Sequence, residues 1–255
     1  LSPSGPIDRA LAAAPGRAGL SWLGAQTYAH RGLHGPGCPE NSMAAFAAAA
    51  ERGLGIELDV QGSGDGLPVV FHDWELDRMT QETGPAARRS AAMLGSVALA
   101  GTAETIPDLP QVLRLVAGRV PLLIEVKTKR ESHVAALCQA VRRCLEGYHG
   151  PHAVIGFDPR VIRWFARHSP GTPRGLSFTD NGGLTLAGRI RRRLALWHAR
   201  PDFLTYDLRD LPSRFAAAQR KRGLPLVTWT VTSAEQRERA GALADAIIAE
   251  GRGIL

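Results

Sequence analysis

Short apolar runs alternate with longer alanine-rich or amphipathic stretches along most of the chain. The runs predict strands at 27–30, 55–60, 67–71, 121–126, 153–157, 175–178, 203–206, 226–231 and 246–248. The stretches between them predict helices at 43–51, 109–117, 133–145, 160–167, 184–198, 212–222 and 234–240. Side chains alternate faces along a strand, so 55–60 sets Glu57 and Asp59 on one face and Ile56, Leu58 and Val60 on the other. Asp65-Gly66 reads as the tight turn before 67–71. Glu40 or Asn41 is expected to cap the 43–51 helix, and Ser233 the 234–240 helix. Residues 74–101 carry no clear period and predict loop with a short helix, while Pro and Gly interrupt an alanine-rich helical stretch at 8–14.

Repeated strand and helix segments of this size imply an α/β fold with a parallel sheet, and their number points to a (β/α)8 TIM barrel. Nine strand candidates compete for eight places. The surplus is expected in the 55–60 and 67–71 pair, which no helix separates, or at 246–248. The resulting division is an N-terminal arm at 1–24 and one barrel domain at 25–255, with a small insertion at about 74–101 after the His72-Asp73 strand.

The 255 residues are 44% hydrophobic and 22% charged, the composition of a chain with ample core. Thirty-one Lys and Arg against 24 Asp and Glu leave +7, which favours anionic partners. These basic residues are scattered and no aromatic-rich nucleic-acid motif accompanies them, so nucleic acid is not expected as a partner. Cys38, Cys138 and Cys144 form no CxxC pair, which fits a reducing compartment. No secretory leader pattern or membrane-length apolar run is visible, and a cytoplasmic location is the expectation.

Function in such barrels lies at the C-terminal ends of strands. That rule selects His30, Arg31, Glu57, Asp59, His72, Asp73, Glu125, Lys127, Asp158, Asp207 and Trp229. Glu57, Asp59 and Glu125 would make an oxygen-rich site for one hard divalent cation, Mg2+ or Ca2+; the plainer alternative pairs them with Arg31 and Lys127. Histidine as a residue type ordinarily titrates near neutrality, so a pair such as His30 and His72 suits general acid and base work on opposite sides of a scissile phosphate. The other six histidines, His34, His133, His149, His152, His168 and His198, fall in loops or helices, where surface or packing roles are expected. Arg31 and Lys127 can hold phosphate oxygens, neutralise the adjacent carboxylates, or both. Trp229 either lines an apolar wall or packs. No GxSxG elbow, P-loop, helix-opening GxGxxG or HExxH is present.

Several motifs recur in order over about residues 27–251: His30-Arg31-Gly32, Pro39-Glu40-Asn41-Ser42 with Ala45-Phe46, Glu57-Leu58-Asp59-Val60, and Asp65 to Asp73 with Leu76, Arg78 and Thr80. Ile106-Pro107, Glu125-Val126-Lys127 and Thr228-Trp229-Thr230-Val231 follow. The set resembles the glycerophosphodiester phosphodiesterase family of phospholipase C-like phosphodiesterase barrels. The resemblance implies hydrolysis of a small glycerophosphodiester to glycerol 3-phosphate and an alcohol, through a cyclic phosphate formed by the glycerol hydroxyl. By position it makes His30 and His72 catalytic, Glu57, Asp59 and Glu125 metal ligands, and Arg31, Lys127 and Trp229 substrate contacts. Two alternatives remain. One is a lysophospholipase D-type lipid phosphodiesterase whose basic helix at 184–198 makes weak contact with an anionic membrane surface. The other is a non-catalytic phosphate-binding barrel. Oligomeric state is not legible.

Overall fold

The computed structural model describes residues 5–12, 20–131, 133–180 and 185–254. Strands and helices alternate, and the strand order is that of a (β/α)8 barrel with one antiparallel addition. The described residues fall into two compact units, one made of 28–152 and the other of the segments before 28 and after 152.

In the 28–152 unit, β1 (Tyr28–Ala29) and β4 (Leu122–Val126) both run parallel to β2 (Gly55–Gly62). β1 stops early because the chain turns at once: Arg31 and Gly32 both take positive φ, 55° and 80°. Gly32 is required there twice over, by its left-handed backbone and because a Cβ would come within 2.9 Å of Ala45. The alanine-rich α2 (Met43–Glu51) is capped by Ser42, which accepts from the Ala45 amide at 3.1 Å. Glu40 and Asn41, the expected caps, have their side chains committed to charged partners.

β3 (Pro68–Val70) pairs antiparallel with β2 and is the surplus strand. The Asp65-Gly66 turn joins them, with Gly66 at φ 79°. Residues 74–101 hold a 3-10 turn at Ala86–Arg88 and the short α3 (Ala91–Leu94), and they carry a core of their own. Leu76, Leu94, Val97 and Leu99 pack there with Val69, Phe71 and Ile106. α4 (Leu109–Val116) opens on a reciprocal capping box between Asp108 and Gln111. α5 (Val134–Leu145) completes the unit.

All but the first residue of β5 (His152–Gly156) lies in the other unit, where β5, β6 (Arg174–Phe178), β7 (Phe203–Asp207), β8 (Leu226–Val231) and β9 (Ala246–Ala249) pair successively and in parallel. His152 therefore starts a strand rather than lying in a loop or helix. α6 (Pro159–His168), α7 (Leu186–Ala199), α8 (Arg214–Lys221) and α9 (Ala234–Leu243) intervene, α9 capped by Ser233 as expected. α1 is Gly5–Leu11, earlier than the predicted 8–14, whose last two residues lie outside the described ones. Its Asp8 accepts from Trp197 and Gln219, each at 2.9 Å, which ties α1 to α7 and α8. The predicted start of α7 at Leu184 also lies outside the described residues. Among the described residues no helix is long and apolar enough to cross a membrane.

Candidate active site

Register brings the carboxylates together. β2 and β4 pair with Asp59 opposite Glu125, and Glu57 stands two residues earlier on the same face of β2. One oxygen from each of the three lies within 4.8 Å of the others. Glu57 and Asp59 are buried, and Glu125 nearly so. Like charges this close resist ionising together. Burial, then the charges of Asp59 and Glu125, push Glu57 well above the ordinary carboxylate range. Burial and Asp59 push Glu125 up to about 7. Asp59 stays ionised: burial opposes its charge, but Lys127, His72, Arg31 and the Asn41 amide together hold it below the ordinary value.

The positive groups surround that carboxylate. Lys127 Nζ lies 3.4 Å from Asp59 and 3.6 Å from Glu125, and Arg31 Nε lies 3.4 Å from Asp59. Asn41 clamps Asp59 reciprocally, its Nδ2 donating to Oδ2 at 3.0 Å while Oδ1 accepts from the Asp59 amide at 3.3 Å. The left-handed turn at Arg31 aims its own N–H at Glu57 Oε2, 3.1 Å away. So Arg31 and Lys127 make the neutralising contacts with these acids.

His72 enters from the end of β3. Its Nδ1 lies 2.6 Å from Asp73 Oδ1. Arg78 donates through Nε and Nη2 to both oxygens of Asp73, and through Nη1 and Nη2 to both oxygens of Glu40. Glu40 in turn accepts from Arg31 Nη1 at 2.7 Å. One chain of charge-assisted hydrogen bonds therefore runs His72, Asp73, Arg78, Glu40 and Arg31, and the 3.4 Å ion pair of Arg31 carries it on to Asp59. Burial pushes the His72 ring below its ordinary value, with help from Lys127 and Arg31 and against the pull of Asp59 and Asp73. Although burial opposes it, bonding to Arg78 and His72 pulls Asp73 down to about 2. Gln61, fully buried on the carboxylate face of β2, donates to the carbonyls of Phe71 and Asp73 at 2.8 and 2.7 Å. It thereby grips the backbone on both sides of His72.

His30 lies just beyond β1, half-buried, with a ring nitrogen within 4.8 Å of one on His34. His34, expected at the surface or in packing, is thus a neighbour of a candidate catalytic residue. Trp229 sits on β8 in the other unit, half-buried and edge-on to the exposed Phe157 with ring centroids 5.5 Å apart. Asp158 and Asp207, also selected by the strand-end rule, have local work instead. Asp158 caps α6 and pairs with Arg160, and Asp207 pairs with Arg209 at 2.6 Å. Asn41, Gln61, Glu40 and Arg78 were missed as site residues. The only available signal was that Glu40, Asn41 and Arg78 fall inside the ordered motifs.

The fold is thus a parallel barrel whose strands carry three clustered carboxylates, with a histidine tied to Asp73 in the same unit. Residues 30–250 match the glycerophosphoryl diester phosphodiesterase family. The chain belongs to that family and is an enzyme of its class, a phosphoric diester hydrolase. A glycerophosphodiester phosphodiesterase of Caldanaerobacter subterraneus subsp. tengcongensis is 29% identical over 223 residues, covering 83% of this chain and 87% of that one. One from Bacillus altitudinis is 40% identical over 110 residues, 40% of this chain and 44% of its own length. Among solved structures, an Oleispira antarctica phosphodiesterase in complex with the product sn-glycerol-3-phosphate shares the fold. It has a TM-score of 0.77 at 23% identity, over 88% of this chain and 92% of that one.

Proposed function

We propose that this enzyme hydrolyses a glycerophosphodiester to glycerol 3-phosphate and an alcohol with one divalent cation, Mg2+ or Ca2+, held by Glu57, Asp59 and Glu125. The observation that carries the reading is the trio itself: three carboxylates within 4.8 Å, two buried and one nearly so, with Glu57 and Glu125 pushed towards protonation by burial and by their neighbours. Such a set holds its charge only when a cation restores the balance, and its all-oxygen character suits a hard ion. Bound there, the cation would polarise the attacking hydroxyl and offset phosphate charge.

The remaining work belongs to side chains of this chain. With Nδ1 tied to Asp73, His72 presents Nε2 to the substrate; its lowered pKa keeps the ring neutral near pH 7. It accepts the proton of the glycerol hydroxyl as that oxygen attacks phosphorus. His30 donates a proton to the departing alcohol oxygen. Water then opens the cyclic phosphate with the two roles reversed. Arg31 and Lys127, already beside the acids, hold non-bridging oxygens, and Trp229 is assigned to the substrate on the family resemblance alone.

The test is calorimetric titration with Mg2+ and Ca2+ alongside kinetics. Asp59→Asn with Glu125→Gln is expected to abolish ion binding. His72→Ala and His30→Ala are expected to keep ion binding and the native circular dichroism while losing about 10²–10⁴-fold in kcat. Undiminished turnover in either histidine variant would overturn the acid and base assignment.

A further inference from the structure

We infer that the outer face of α7 docks this protein on an anionic lipid surface. Of its fourteen residues only Leu196 and Ala199, in the last turn, are buried. Leu186, Ile190 and Leu194 are 75%, 53% and 52% exposed. Spaced four apart, they form one row along the helix. At about 100° per residue, Arg191 falls on one flank of that row and Arg189 on the other. Arg189 and Arg191 are exposed and make no side-chain hydrogen bond or ion pair among the described residues. Between Asp180 and Asp202 the sequence has no acidic residue, against Arg189, Arg191, Arg192, Arg193 and Arg200.

The helix is held so that this face stays outward. Arg192 turns the other way, donating to both oxygens of Asp180 at 3.0 Å and lying 4.2 Å over the Phe215 ring. Trp197 is anchored to Asp8 of α1, which adds its own exposed Ile7 and Leu11. A pre-ordered helix with an exposed aliphatic row between arginines matches an interfacial helix, whose apolar side enters the acyl boundary while its cations meet lipid phosphates. A second copy of this chain is the poorer occupant, because an isologous contact would set the same arginines against each other. Near an anionic surface each arginine contributes roughly fivefold to partitioning.

Sedimentation of the full chain with phosphatidylcholine vesicles, with and without phosphatidylglycerol, tests this. Binding to the anionic vesicles only is expected, weakening as salt rises. Arg189→Ala with Arg191→Ala should weaken it about 25-fold, and Leu186→Ser with Ile190→Ser at least about tenfold. Both variants should hydrolyse a water-soluble glycerophosphodiester like the parent. That readout, with circular dichroism, separates failure of this proposal from failure of the catalytic one. No binding at low salt, equal binding to neutral vesicles, or binding indifferent to both pairs of substitutions would overturn it. So would self-association abolished by the serine variant without lipid binding, which would make the row a dimer face.

Discussion

Asp73→Asn probes how much the proposed catalysis owes to the bond behind His72. The substitution keeps the shape of the side chain and removes its charge. Two contacts weaken, the 2.6 Å contact with His72 Nδ1 and the two-point clamp from Arg78. A hydrogen bond to a charged group is worth about 1.5–3 kcal/mol. If that support is needed mainly when the ring carries a second proton, the loss appears in kcat as roughly 10- to 150-fold, with KM little changed. The carboxylate also raises the His72 pKa, so its removal should move the ascending limb of the pH–rate profile to lower pH. Steady-state release of glycerol 3-phosphate across pH, at saturating cation, measures both. A kcat within about twofold of the parent and an unmoved limb would refute a positioning role for Asp73.

Other outcomes follow from the same contacts. Glu125, at about 7, binds its proton more tightly folded than unfolded, so it stabilises the cation-free protein at low pH and loses that contribution as pH rises to about 7. Added Mg2+ or Ca2+ should therefore raise Tm more at pH 8 than at pH 5; an equal rise at both would count against ion binding by the acidic trio. Gln61→Leu should cost roughly 2 kcal/mol or more in urea unfolding, because it strips a shared donor from the carbonyls of Phe71 and Asp73. Its kcat should fall too, and unchanged stability and turnover would deny it the grip on His72. Leu76→Ala, deep in the core of the 74–101 segment, should cost about 2–5 kcal/mol; a loss below about 1 kcal/mol would mean that this segment packs loosely.

Much of this was legible because local pattern and global fold agree. Alternation along 55–60 placed Glu57 and Asp59 on one face, and β2 keeps them so. What local pattern lacks is the partner. The Asp59 to Glu125 alignment is a pairing between distant strands. Glu40 and Asn41 look like helix caps, since each offers a side-chain oxygen just before α2. Asn41 is instead bonded to Asp59, 18 residues on, and Glu40 to Arg78, 38 residues on, leaving the cap to Ser42. Residues 74–101 show no period because their core is assembled from irregular turns, with no single helix or strand face to repeat. His34 gave no sign of its nearness to His30, which arises from the turn at Arg31 and Gly32.

The most direct measurement is release of glycerol 3-phosphate from glycerophosphocholine and glycerophosphoethanolamine, after EDTA treatment and again with Mg2+ or Ca2+ restored. Release that vanishes on chelation and returns with one of the ions is the expected result. Full release from the chelated enzyme would contradict a cation held by Glu57, Asp59 and Glu125, and no release under any condition from the folded protein would contradict the substrate.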